Sequence, residues 1–124
     1  MNILKKILQW ILAAVMVLAG VNHFLNAGFY LRMMPPYLPS HLFLVQLSGV
    51  FEILLGAALL IPKFTRFAAF GLVMLFVAVF PANIYMAQHP EIFPEFSQTA
   101  LYLRLPIQFV LIIWAAWYTK RIES

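Results

Sequence analysis

Hydrophobic positions gather in four long runs separated by short stretches rich in polar residues, glycine and proline. The runs extend over about Ile3 to Phe24, His41 to Ile61, Phe64 to Met86 and Thr99 to Tyr118. Each is close to the length a helix needs to cross a hydrocarbon core roughly 30 Å thick at about 1.5 Å per residue. The pattern predicts an all-α fold, an integral membrane four-helix bundle. The runs fill the chain, so residues 1–124 form a single transmembrane domain with no soluble module.

The breaks between runs carry recognisable turn chemistry. Asn26-Ala27-Gly28 ends the first helix, and Phe29 to Met34 forms one or two turns of interfacial helix before Pro35-Pro36, which cannot continue it. Ser40 is placed to cap the second helix. The connection around Pro62-Lys63 is so short that the second and third helices must be antiparallel neighbours. Pro90 and Pro94 lie in the long connection from Gln88 to Gln98.

Basic residues are distributed unevenly among these connections. Lys5, Lys6, Lys63, Arg66, Lys120 and Arg121 fall on one side of a four-span protein, whereas Arg32 and Arg104 fall on the other with Glu91 and Glu95. The positive-inside rule makes the first side cytoplasmic and places both termini there. The expected location is a bacterial inner (plasma) membrane. Lys5-Lys6 followed by an apolar run with Ala13, Ala14 and Ala19-Gly20 has features of a secretory signal, but the run continues to Phe24, which favours a retained helix.

Composition agrees: 65% hydrophobic and 10% charged residues cannot clothe a water-facing surface. A net charge of +4 follows from juxtamembrane lysines and arginines in contact with anionic lipid, so no nucleic-acid partner is implied. The bilayer itself is the first expected partner.

Polar residues inside the runs are few and clustered in depth. Asn22, His23, Gln46, Ser48, Asn83, Arg104 and Gln108 fall in the outer halves, Glu52 lies near the midplane, and the inner halves are almost wholly apolar. Helical side chains tilt toward the N-terminus, which turns Glu52, Arg104 and Gln108 outward and His23 and Asn83 inward, so the groups converge. Ser48 and Glu52 share a face at a spacing of four, as do Arg104 and Gln108, with Gln46 displaced around the helix. Pro81 and Pro106 each remove a helical hydrogen bond at about this depth. The expectation is one polar pocket opening outward, with Glu52, His23, Arg104, Asn83, Gln108, Asn22, Gln46 and Ser48 as candidate ligand-binding residues.

Each candidate also has a plainer reading. An intramembrane glutamate costs about 2.5–3.5 kcal/mol on insertion scales, so it points to a ligand or proton role or to a structural pair with Arg104 or His23. Arg104 near an interface can simply snorkel. Asn83 and Gln108 suit interhelical hydrogen bonding, while Ser48-Gly49 and Gly56-Ala57 suit close helix packing.

With no cysteine in the chain, thiol exchange, iron–sulfur clusters, thiolate zinc and covalent haem are excluded. A Ser-His-Asp triad is excluded because there is no aspartate. His23, Met33, Met34, His41, Met86 and His89 offer imidazole and thioether of the kind that suits copper(I), but at no diagnostic spacing. No catalytic motif is present, and an enzymatic role would be at most that of a membrane subunit of an oxidoreductase.

Gly20-Val21-Asn22-His23-Phe24, Phe29-Tyr30-Leu31-Arg32-Met33-Met34-Pro35-Pro36-Tyr37-Leu38-Pro39, Ser48-Gly49-Val50-Phe51-Glu52-Ile53 with Gly56 and Pro62, Phe80-Pro81-Ala82-Asn83, and Arg104-Leu105-Pro106 with Gln108 occur in this order along nearly the whole chain. In that order they resemble the DoxX-like family of small membrane proteins. The resemblance implies a four-helix integral membrane protein. The family name derives from a subunit of a quinone-linked thiosulfate oxidoreductase, some relatives are redox-associated and distant ones act as membrane chaperones. Cysteine-dependent roles cannot carry over to this chain.

Two functions follow as expectations. One is a redox-associated or binding subunit whose pocket takes a small amphipathic molecule, quinone or lipid-like, anchored by Glu52, His23 and Arg104. The other is a structural subunit or assembly factor, in which those residues only lock the helices together, with a membrane protein partner or a second copy of the chain. Proton-coupled transport is a third, cramped in four helices unless the protein dimerises.

Overall fold

The computed structural model describes residues 2–120, and within them the chain forms five helices: α1 (Ile3–Leu25), α2 (Ala27–Met33), α3 (His41–Leu59), α4 (Thr65–Gln88) and α5 (Gln98–Trp117). Four of these, α1, α3, α4 and α5, are long and apolar enough to cross a membrane. Between 17% and 28% of the apolar window in each of these four is buried, so most of their hydrophobic surface faces outward and suits lipid. Phe67, Met74 and Ile113 are among the outward side chains.

Local chemistry sets the ends of the helices. Asn2 caps α1 by accepting from the Lys5 amide at 2.8 Å, and Ser97 caps α5 by accepting from the Ala100 amide at 3.1 Å. Ser40 behaves differently from expectation. It precedes α3 with a left-handed backbone (φ 49°), and its side chain makes no capping bond. Asn26 alone separates α1 from α2, and α2 stops before Pro35-Pro36, as the sequence predicts. Pro81 and Pro106 are accommodated inside α4 and α5.

Side-chain bonds between helices fix their directions. Gln9, early in α1, donates to the Leu59 carbonyl at the end of α3, while His23, late in α1, meets Val45 early in α3. The two are therefore antiparallel. Arg66 and Thr119 pair the start of α4 with the end of α5, and Asn83 and Arg104 pair the opposite ends. The order across the bundle is α1–α3–α4–α5, with α2 laid against α3, α4 and α1. Tyr118 closes the row by donating to the Lys5 carbonyl at 2.7 Å.

One end of the bundle carries Lys5, Lys6, Lys63, Arg66 and Lys120; Arg121 lies outside the described residues. The opposite end is built from α2, a 3₁₀ turn at Pro90–Ile92 and the start of α5. There Arg32 donates to both carboxylate oxygens of Glu95, at 3.2 and 2.8 Å, and to the Ile92 carbonyl at 2.9 Å. Its guanidinium also lies 5.4 Å from the Phe29 ring centroid and 5.1 Å from that of Phe93. The hydrogen bonds from Arg32 hold the Glu95 carboxyl below its ordinary range, and Glu95 in turn raises Arg32.

Two apolar clusters fill the interior. The larger, toward the basic end, includes Leu12, Met16, Leu59, Leu72, Phe76 and Tyr118; the smaller, toward the opposite end, comprises Met33, Ala82, Met86, Phe93 and Leu101. The polar residues expected at mid-bundle lie between them. The expectation of an almost wholly apolar basic half needs correction. Gln9 is buried there and shares the Leu59 carbonyl with Thr65, at 2.6 and 2.9 Å. These groups tie α1, α3 and α4 together at a helix end, where Leu59 lacks a further helical donor.

Candidate functional site

A cavity of about 220 Å³ lies between the two apolar clusters, and all five helices contribute to its wall. One side carries His23 from α1 with Ser48 and Glu52 from α3; the other carries Asn83 from α4 with Arg104 and Gln108 from α5. Tyr30 and Met33 reach it from α2, and Val15, Phe76, Val79 and Leu111 make its apolar wall.

The His23–Glu52 side depends on an unusually close helix contact. A Cβ placed on Gly20 would lie 2.6 Å from the Gly49 carbonyl oxygen, and one on Gly49 would lie 2.9 Å from the Cβ of His23. Only hydrogen fits at these points, so α1 and α3 approach closely enough for His23 to reach across. Nε2 of His23 is 2.9 Å from Oε2 of Glu52, with side-chain exposures of 10% and 13%. Nδ1 lies 3.0 Å from the Val45 carbonyl oxygen. A carbonyl only accepts, which assigns a hydrogen to Nδ1 and leaves Nε2 as the atom that gains or loses a proton.

A separation of 2.9 Å between Nε2 and Oε2 is attractive when one further proton lies between them, as imidazolium with carboxylate or as imidazole with carboxylic acid. Either form has no net charge. Oε2 receives no directed hydrogen bond from the described residues, so it is the distance to Nε2 that makes the contact. Tyr30 covers the imidazole, with ring centroids 4.0 Å apart, and its hydroxyl accepts from Asn22 at 2.7 Å.

The facing side is a chain of hydrogen bonds with a fixed sense. Arg104 Nε donates to Asn83 Oδ1 at 3.0 Å, Asn83 Nδ2 donates to Gln108 Oε1 at 3.3 Å, and Gln108 Nε2 donates to the Phe76 carbonyl at 2.8 Å. Because arginine can only donate and the Phe76 carbonyl only accepts, the chain orients both amides. Phe76 precedes Val77, the residue whose carbonyl loses its helical donor to Pro81. Gln108 and Asn83 are buried, whereas Arg104 is half-buried and lines the cavity. Among the described residues no carboxylate pairs with Arg104.

Six of the eight expected residues thus meet at one cavity: Glu52, His23, Arg104, Asn83, Gln108 and Ser48. Gln46 does not. It is exposed, because two residues from Ser48 is more than half a helical turn, which sends it to the other face of α3. Asn22 stands behind the wall and acts on it only by holding Tyr30. Of the two partners expected for Glu52, His23 makes the contact and Arg104 does not, and Arg104 is tied back to Asn83 instead of extending freely to an interface.

Tyr30 and Met33 were not among the expected site residues. Their signal was present in the apolar segment before Pro35-Pro36, but a short helix gives no indication from its sequence of which interior it covers. Among the described residues no three His, Cys, Asp or Glu side chains are grouped to hold a metal. Of the imidazole and thioether groups considered for copper, His23, Met33 and Met34 line the cavity, while His41 and His89 bond to the Pro35 and Tyr85 carbonyls.

A family model described as "Domain of unknown function (DUF8561)" matches residues 12–119. No curated protein and no solved structure matches the chain.

Proposed function

We propose, for a chain that belongs to the DUF8561 family, that the mid-bundle cavity binds a small amphipathic molecule, quinone or lipid-like, and that the protein serves as a redox-associated or binding subunit in a bacterial inner membrane. The observation that carries this reading is the opposition of two polar walls across one cavity. Arg104 presents a fixed cation from one side, and the His23–Glu52 pair presents a movable proton from the other. Such convergent polar groups in an otherwise apolar cavity are the mark of a ligand site. Its volume falls below the roughly 300–1,000 Å³ of drug-sized sites, which restricts the occupant to a small molecule or to the head of a larger one.

The same proposal includes kinship with DoxX-like proteins and an orientation with both termini cytoplasmic. Five basic residues at one end of the described bundle support that orientation. The cavity would then open toward the outer side, beneath α2. A structural subunit or assembly factor would use the same residues only as interhelical ties.

Native mass spectrometry of protein released from mild detergent tests the reading. Wild type should carry a bound small molecule, and Arg104→Gln should retain far less at matched folded yield. A charge-assisted hydrogen bond contributes about 1.5–3 kcal/mol, which corresponds to about 10- to 100-fold in occupancy. An empty bundle associated with a stable protein partner would overturn the binding role in favour of the assembly role.

A further inference from the structure

We infer that the occupant of the mid-bundle cavity is a monoanion, a carboxylate or a group of like charge, and not a neutral molecule. The inference rests on the reading that the cavity is a ligand site and narrows it, setting the neutral quinone aside in favour of an anionic, lipid-like occupant. Besides the Tyr30 phenol, three ionisable side chains line the cavity: His23, Glu52 and Arg104. Glu52 is within 2.9 Å of His23, and that pair is neutral overall in both of its one-proton forms. Arg104 remains cationic in any accessible pH range. With one further proton held by that pair, the wall as a whole carries one positive charge without a counter-ion among the described residues.

The neighbours of Arg104 do not remove that charge. Asn83 accepts from its Nε with a neutral amide oxygen, and Gln108 and the Phe76 carbonyl continue a chain of neutral groups. This chain fixes the guanidinium by one nitrogen. The two terminal nitrogens make no hydrogen bond to described residues, and they offer the paired donors that match two oxygens of a carboxylate. Apart from the Ser48 and Tyr30 hydroxyls, which carry no charge, the remaining lining is apolar, with Val15, Val79 and Leu111, so an anionic occupant is what would supply the counter-ion within the cavity. A monoanion neutralises the wall, whereas a neutral quinone or amide leaves the cation unpaired.

Direct binding of two probes of equal chain length to protein in lipid nanodiscs, with empty discs subtracted, tests this. Octanoate carries the charge, and octanamide keeps the shape and hydrogen-bonding oxygen without it. Octanoate should bind wild type at least about tenfold more tightly, the effect of a single charge-assisted contact. In Arg104→Gln the two affinities should converge through loss of octanoate binding, with octanamide binding retained as the check that the cavity still forms. Equal affinity of the two probes for wild type would overturn the inference while leaving the site itself intact. Binding of neither probe would overturn both.

Discussion

The imidazole of His23 is held between a carbonyl and a carboxylate: Nδ1 lies 3.0 Å from the Val45 oxygen, and Nε2 lies 2.9 Å from Oε2 of Glu52. Both partners come from α3, so one α1 side chain reads two turns of its neighbour. Removing the carboxylate should leave Nε2 buried without its partner. Glu52→Gln keeps a polar group at the contact and is expected to lose about 1 kcal/mol or less, whereas Glu52→Leu is expected to lose about 1–3 kcal/mol. Thermal unfolding in detergent compares the three proteins, and identical melting would show that the pair contributes nothing to the fold.

Gly20 governs how closely those two helices approach. Gly20→Ala would drive a methyl group to 2.6 Å from the Gly49 oxygen and the Ile53 side chain, and overpacking of this kind costs about 1–3 kcal/mol. Gly28→Ala meets nothing within 4 Å and lies inside α2, where alanine favours the helix by up to about 1 kcal/mol. Opposite signs are therefore expected for the same chemical change at two glycines. Melting temperatures lowered equally by both would contradict this account of the α1–α3 contact.

Glu95 gives the bundle a defined response to acid. Its carboxyl is held below the ordinary value of 4.5 by Arg32, so the stabilisation is complete above that value and is lost as pH falls through the lowered one. The contact is solvent-exposed, and salt weakens it as well. The melting advantage of wild type over Glu95→Gln should be present at pH 7, shrink in strong acid and shrink in high salt. Equal melting of the two proteins at pH 7 would mean that Arg32 anchors α2 through the Ile92 carbonyl and the aromatic rings alone.

Orientation follows from charge in the proposed membrane setting. Tyr37 and Glu91 should face the non-cytoplasmic side, because the lysine-rich end carries five described basic residues. The chain has no native cysteine, so single cysteines at these positions can be labelled without background. Cysteine at Tyr37 that reacts only with reagent supplied from the cytoplasmic face would reverse the assignment.

The sequence alone determined the number, type and approximate ends of the long helices, since about 20 apolar residues between prolines, glycines and charges leave little choice of structure. It also placed His23, Arg104, Asn83, Gln108 and Ser48 in the outer halves and Glu52 near the midplane, because helical rise converts position along the chain directly into depth. Tertiary structure decided what depth cannot express. Rotation about each axis sent Gln46 outward while Ser48 and Glu52 turned in, the Gly20–Gly49 approach gave Glu52 to His23 instead of Arg104, and Asn83 took Arg104 in exchange. Tyr30 entered the site only because Arg32 and its partners fold α2 over the end of the bundle. Gln9 and Thr65, which the apolar pattern concealed, became partners only when the ends of α1, α3 and α4 met at one carbonyl. Depth is a property of one helix; pairing belongs to the contacts among several, and those are set by which small residues allow their backbones to touch.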